Sequence, residues 1–446
     1  MSGQTMRVIE GGAPDGIKPR DRDAVIMALR AGVVPRSGLQ HVQVGRVEEV
    51  KQTIKDTENI ADGGAVFRVI VGDYGCGKTF FLSVARAIAM QRRLVTLAAD
   101  FSPDRRLHSA TGHARALYSE LMRNMATRTK PDGGALENVV ERFIVTARAK
   151  AEASGAPLLK TIAAELEPLQ DMVSGFDFTH VIRRYADAVE EGNDGLRSAA
   201  LRWLRGEFAL KSEARDSLGV RTIIEDTQIH DYVKLMAGFV RLAGFTGLLV
   251  VLDEAVNLYK LTNAQARTTN YEQILRILND TLQGTAAAVG FYIGGTPEFL
   301  MDPRRGLYSY EALRSRLAEN TFARSGLVDL SGPVLRLQAL TREELLVLLQ
   351  RLRHIHAGGD PARYLVPDDA LTAFLAHSEK RLGAAAFRTP RNTIKAFLDL
   401  LAILDQNTER AWHDLIPITA IEEDRGALVE QASDEDGGDN LSTFRL

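Results

Sequence analysis

The sequence predicts an α/β protein: a parallel five-stranded sheet carrying a phosphate-binding loop, interrupted by a large helical insertion and followed by a C-terminal helical unit. Three observations predict it. Short β-branched apolar runs alternate with helical periodicity, the pattern of a parallel sheet covered on both faces. A glycine-rich GDYGCGKT segment joins one such run to a helix. The second and third runs are separated by about 145 residues that read almost wholly as helix, where a crossover needs only a dozen or so.

The elements follow in order. Residues 1–20 are rich in Gly and Pro. Asp21–Ala31 has helical spacing, ended by Val33-Val34-Pro35. A helix is expected from Val47 to Asn59, stopped by Asp62-Gly63-Gly64. Val66–Val71, Leu94–Ala98, Leu248–Leu252, Ala287–Ile293 and Val334–Leu337 read as the five strands. Within the insertion, helices are expected over His113–Met125, Ala135–Ala153, Ile162–Met172, Thr179–Glu190 and Leu196–Leu210. Helix dominates again from Thr341 to about Asn407. Five units result: 1–43, an extension with one helix; 44–101 and 241–340, the core; 102–240, the insertion; 341–410, a C-terminal helical unit; and 411–446, an acidic tail whose composition predicts disorder.

The chain is 45% hydrophobic and 25% charged, the balance of a globular protein. No apolar run approaches the ~18 residues of a membrane span, and the N-terminus lacks a secretory apolar stretch. The single cysteine, Cys76, fits a reducing cytoplasm. Residues 422–446 hold eight acids against Arg425 and Arg445, a net of −6, which leaves +3 for the rest of a chain whose formal charge is −3. That mild positive balance permits nucleic-acid contact without arguing for it.

Gly72-Asp73-Tyr74-Gly75-Cys76-Gly77-Lys78-Thr79 matches G-x-x-x-x-G-K-[ST] in full, with a strand before and a helix, opening at Phe80, after. Glycines let backbone N–H groups curl around phosphates, and the helix N-terminus adds a favourable dipole. Lys78 is placed to reach the β- and γ-phosphates, and Thr79 to ligate Mg²⁺. Cys76 reads either as a reactive thiol at a helix N-terminus or as a small loop filler. The strand Leu248–Leu252 ends in Asp253-Glu254. Asp253 is expected in the Mg²⁺ shell, and Glu254 as the general base on water. Thr296 ends the fourth strand, set between the loop strand and the acidic strand. It reads either as a sensor of the terminal phosphate or as a cap before Pro297. Among Arg304, Arg305, Arg314, Arg316 and Arg324, Arg314 and Arg316 rank first as arginines supplied to a neighbouring subunit's site. Arg391, with Arg388 as competitor, opens the last long helix, from which it can reach a nucleotide beside the sheet.

This order of motifs resembles the AAA+ ATPases of the initiator-like kind. In that resemblance Val44-Gly45-Arg46-Val47-Glu48-Glu49 is the GR-x-E motif near the adenine, with Gly45 and Arg46 as nucleotide contacts. Thr296 is the first sensor, Arg314 and Arg316 the finger box, Arg391 the second sensor, and Thr341–Asn407 the lid. A closer resemblance covers roughly residues 21–410. The blocks GDYGCGKTFFL, LLVVLDEAVNLYK, NYEQILRILNDTLQG, GGTPEFLMDPRRGLYSYEALRSRL and TPRNTIKAFL are similar to the BREX-system ATP-binding family, the C- and D-type components of bacterial phage-exclusion systems, with a length suiting the smaller D-type. The resemblance implies ATP and Mg²⁺ as ligands and assembly as a ring or filament-like homo-oligomer. It also implies a role in anti-phage defence beside a helicase or other proteins of the operon, with double-stranded DNA as a further contact. The chain after Asn407 is too short for a winged helix, so DNA contact falls to the ring, the insertion or a partner. A nucleotide-gated scaffold that recruits defence proteins with little hydrolysis is the alternative, and a DNA-binding platform a third.

Overall fold

A computed structural model describes residues 17–320, 329–382, 390–419 and 421. The calls on Arg324, Arg388 and the acidic stretch 422–446 lie outside these residues.

Five strands form one parallel sheet: β1 (Ala65–Val71), β2 (Val95–Asp100), β3 (Leu248–Asp253), β4 (Val289–Gly295) and β5 (Val334–Arg336). Their order is β2-β3-β4-β1-β5. The apolar runs of the sequence become strands because both faces are buried, so neither face needs a polar alternation. On one face, Phe67, Val69, Leu97, Val250, Leu252, Phe291 and Ile293 enter a core shared with the inserted helices. On the other, Ile70, Leu249 and Val251 pack under helices Val47–Ala61 and Lys78–Gln91 through Ile54, Phe81, Leu82 and Ala85.

The insertion supplies helices His113–Arg123, Leu136–Ser154, Leu158–Gln170, Gly175–Glu191, Asp194–Leu204 and Lys211–Leu218. One expectation is corrected here. The helix expected to run to Leu210 stops at Leu204, because Gly206 takes a left-handed φ of 69° and a new helix starts at Lys211. Two further helices, Ile229–Leu242 and Ala264–Leu282, bridge the insertion to the sheet. The first is buried nearly all round, including His230, Asp231 and Tyr232, with Lys234, Gly238 and Arg241 forming its one less buried line.

The C-terminal unit expected as the lid comprises helices Arg342–His356, Asp368–Leu382 and Pro390–Gln406. Helix Pro19–Arg30 joins their core through Val25 and Leu29, which pack with Leu349, Phe397 and Leu401. An ion pair of 2.9 Å from Arg30 to Asp399 marks the same junction. The capping box of Thr341 and Glu344 starts the first lid helix: the Glu344 N–H donates to Thr341 Oγ1 at 3.1 Å, and the Thr341 N–H to Glu344 Oε2 at 2.8 Å.

One buried charge ties the sheet together. Arg68 of β1 donates Nε and Nη2 to Asp56 at 2.8 and 2.6 Å, and Tyr292 of β4 donates its hydroxyl to the same carboxylate at 2.7 Å. Arg68 Nη1 also donates to the carbonyls of Leu330 and Ser331 at 2.9 and 3.0 Å, fixing the chain that leads into β5. Removing one partner leaves the other charge buried and unpaired. Asp56→Ala is therefore expected to lower unfolding stability by about 3–5 kcal/mol, read from urea denaturation, with a much smaller loss for an exposed pair such as Lys51–Glu48.

Candidate nucleotide site

The loop between β1 and helix Lys78–Gln91 turns on Gly75 and Gly77, at φ 74° and 91°. Cys76 is buried, and its Sγ lies where a Cβ on Gly72 would be, 2.5 Å away. The thiol thus fills the inside of the loop. Lys78 Nζ donates to the carbonyls of Gly72 and Asp73 at 2.8 and 2.9 Å, holding the loop in an arc.

Thr79 Oγ1 donates to Asp253 Oδ2 at 2.7 Å. This contact has to cross β4, which lies between β1 and β3. It is possible because β4 carries Gly294 at the crossing point. A Cβ there would lie 2.4 Å from Asp253 Oδ1 and 2.9 Å from Leu82 Cδ1. The other Asp253 oxygen accepts the Glu254 N–H at 2.8 Å, and Glu254 itself has a left-handed φ of 57°. That turn sends the two carboxylates apart, Asp253 toward the loop and Glu254 into the open cavity that both the loop and Thr296 line. Desolvation, followed by the negative charges of Asp253 and Asp100, pushes the Glu254 carboxyl above its usual 4.5, while Lys78 and Lys260 oppose the shift. Asp100 pairs in register with Asp253 across β2 and β3, and is itself raised by desolvation and then by Asp253.

Arg46 caps helix Val47–Ala61 at φ 57° and donates to the carbonyls of Cys76 and, at 3.4 Å, Gly77. Its neighbour Gln43 gives its carbonyl to Arg351 of the lid. The segment 43–46 thereby links the phosphate loop to the lid. Thr296 lines the cavity and accepts the Phe299 N–H at 3.4 Å, so its hydroxyl acts as the cap of helix Pro297–Met301. Arg391 lies over the Tyr74 ring, 5.1 Å from its centroid. Arg314 and Arg316 sit on helix Glu311–Arg316, outside the cavity wall: Arg314 is 3.8 Å from Glu311, and Arg316 donates to the Ala312 carbonyl at 2.9 Å.

The cavity measures about 690 Å³, within the range of small-molecule sites. Its apolar end is made by Val33, Val34, Val44, Leu340, Leu348 and Ile394, which the N-terminal segment and the lid supply. These apolar walls and the phosphate loop line the same cavity. The Thr79 and Asp253 oxygens form a hard donor pair suited to Mg²⁺.

The family model for the BREX system ATP-binding protein BrxC/D matches residues 17–420. The chain belongs to this family. Comparison with curated proteins finds no match. ATP binding by a BrxC/D-family protein accounts for a phosphate loop and apolar walls lining one cavity, with Asp253 held behind the loop on Thr79. Among the described residues, no helix is long and apolar enough to cross a membrane.

Sequence reasoning missed Asp100, Asn257 and Lys260. Asn257 lines the cavity and donates Nδ2 to the Phe101 carbonyl at 2.8 Å, tying the turn after Glu254 to the end of β2. Its signal was present in the LDEAVNLYK block, three residues after Glu254, but its partner follows only from the β2–β3 pairing. Gly294→Ala in this BrxC/D-family chain is expected to displace Asp253. The measurement is affinity for a fluorescent ATP analogue with and without Mg²⁺. The gain on adding Mg²⁺ should shrink several-fold while binding without Mg²⁺ changes little; an unchanged Mg²⁺ gain contradicts this account of the crossing.

Proposed function

We propose that the chain is an AAA+ ATPase that hydrolyses ATP as an oligomer in anti-phage defence. The observation that carries this reading is the Thr79–Asp253 contact across β4 with Glu254 turned aside from it. A strand between the loop strand and the acidic strand, together with a helical lid over the same cavity, supports the AAA+ assignment.

In this reading the loop N–H groups and Lys78 bind the phosphates, and the apolar slot orients the base. Thr79 and Asp253 hold Mg²⁺, which when bound neutralises charge on the transferring phosphoryl group. Glu254 takes a proton from the attacking water. Thr296 and Arg391 report on the terminal phosphate. Arg314, whose side chain is 64% exposed, is available with Arg316 to a neighbouring subunit. The mildly basic body permits double-stranded DNA as a further contact, and the BREX family supports a helicase or another operon protein as partner.

Glu254→Gln tests the reading. ATP binding and assembly should persist while phosphate release falls by about 10²-fold or more, the scale of a general base. Loss of defence in this variant also separates hydrolysis from a pure scaffold, which would tolerate it. The pH profile gives a second check. A base must be deprotonated, so turnover falls as pH drops through the Glu254 pKa. Because desolvation and the Asp253 and Asp100 charges raise that value in the free enzyme, the acid limb of kcat/KM should have its midpoint above 4.5. A midpoint at or below 4.5 would count against Glu254 as the base.

A further inference from the structure

Tyr74 occupies the third position of the phosphate loop, and its side chain is not buried within it. It is 45% exposed and lies against the lid rather than against the loop. The Arg391 guanidinium carbon is 5.1 Å from the ring centroid, and Nη1 donates to the Tyr74 hydroxyl at 3.3 Å. The aliphatic stem of Arg391 runs beside Gly32, where an added Cβ would be 3.5 Å from Cδ. Both residues line the nucleotide cavity together with Lys78 and Thr79.

Resting on the ATPase reading above, we propose that the Tyr74 ring is a positioning platform for Arg391. It holds the guanidinium at the mouth of the loop so that its edge meets the terminal phosphate of ATP. The chemistry favours a stack that persists after binding. A guanidinium meets an aromatic ring through its face and a phosphate through its in-plane N–H edge, so the two contacts are compatible. The ring thus fixes the plane of the fork before the nucleotide arrives and lowers the ordering cost of a long, flexible side chain. It also makes the lid sense ATP through the loop itself, since Tyr74 moves with the phosphate-binding backbone and Arg391 with the last lid helix.

The test is a double-mutant cycle between Tyr74→Ala and Arg391→Ala, read as affinity for a non-hydrolysable ATP analogue and for ADP, with Tyr74→Phe as the conservative variant. An exposed cation–π contact predicts a loss of about two- to five-fold in analogue affinity for Tyr74→Ala. ADP, lacking the terminal phosphate, should bind nearly as in wild type. Tyr74→Phe keeps the ring and should restore most of the affinity. In the Arg391→Ala background, Tyr74→Ala should add nothing. In steady state the Tyr74→Ala loss should fall on KM more than on kcat.

Equal losses for ADP and the analogue, or a full Tyr74→Ala loss in the Arg391→Ala background, would overturn the platform and reduce Tyr74 to a loop-shaping residue. The ATPase reading fails by a different sign. If wild type binds the analogue no better than Lys78→Ala does, the site itself is misread and the platform falls with it.

Discussion

The acidic strand is not next to the strand that carries the phosphate loop, and the site depends on how that gap is crossed. β4 stands between β1 and β3, so Asp253 has to reach over it to Thr79. Any side chain at Gly294 would occupy the path of the carboxylate. The crossing fixes the loop relative to the sheet, and the turn at Glu254 then follows from it. With Asp253 committed to the loop on one oxygen and to the Glu254 N–H on the other, the Glu254 side chain is left facing the open cavity.

The second constraint is that no single segment builds the cavity. The loop and the strand ends supply the polar floor. The apolar end comes from the N-terminal segment and from the lid, which share one hydrophobic core. Two contacts bind that upper body to the loop. Arg46 holds the carbonyls of Cys76 and Gly77 while its neighbour Gln43 is bonded to lid Arg351, and Arg391 rests on Tyr74. A change in the loop is thereby passed to the lid through rigid, short connections rather than through a long linker. Beneath the sheet, the Arg68–Asp56–Tyr292 cluster keeps β1 and β4 aligned, which holds the glycine crossing in register.

The local parts of this arrangement were legible in sequence because their chemistry is local. Eight consecutive residues make the loop, and a strand that ends in Asp-Glu makes the acidic edge. All five strands fall within a few residues of their expected bounds, since buried parallel strands read as unbroken apolar runs. Contacts between distant segments were not legible. Periodicity shows that Pro19–Arg30 is amphipathic, but not that its partner is the lid nearly the whole chain away. Asp100 becomes a neighbour of Glu254 only through strand pairing, and Tyr74 meets Arg391 across 317 positions. Helix Ile229–Leu242 was passed over although it was legible, since Lys234, Gly238 and Arg241 recur at helical spacing beside an otherwise apolar face.

A double-mutant cycle on Thr79 and Asp253, measured as Mg²⁺-dependent release of phosphate from ATP, tests the crossing most directly. Two residues that act as one unit are not additive. Thr79→Ala, Asp253→Ala and the double variant should therefore lose activity to nearly the same level, with each variant still folded. Losses that multiply, so that the double variant is far worse than either single one, would mean that the two side chains act separately and would contradict a site organised by their contact across β4.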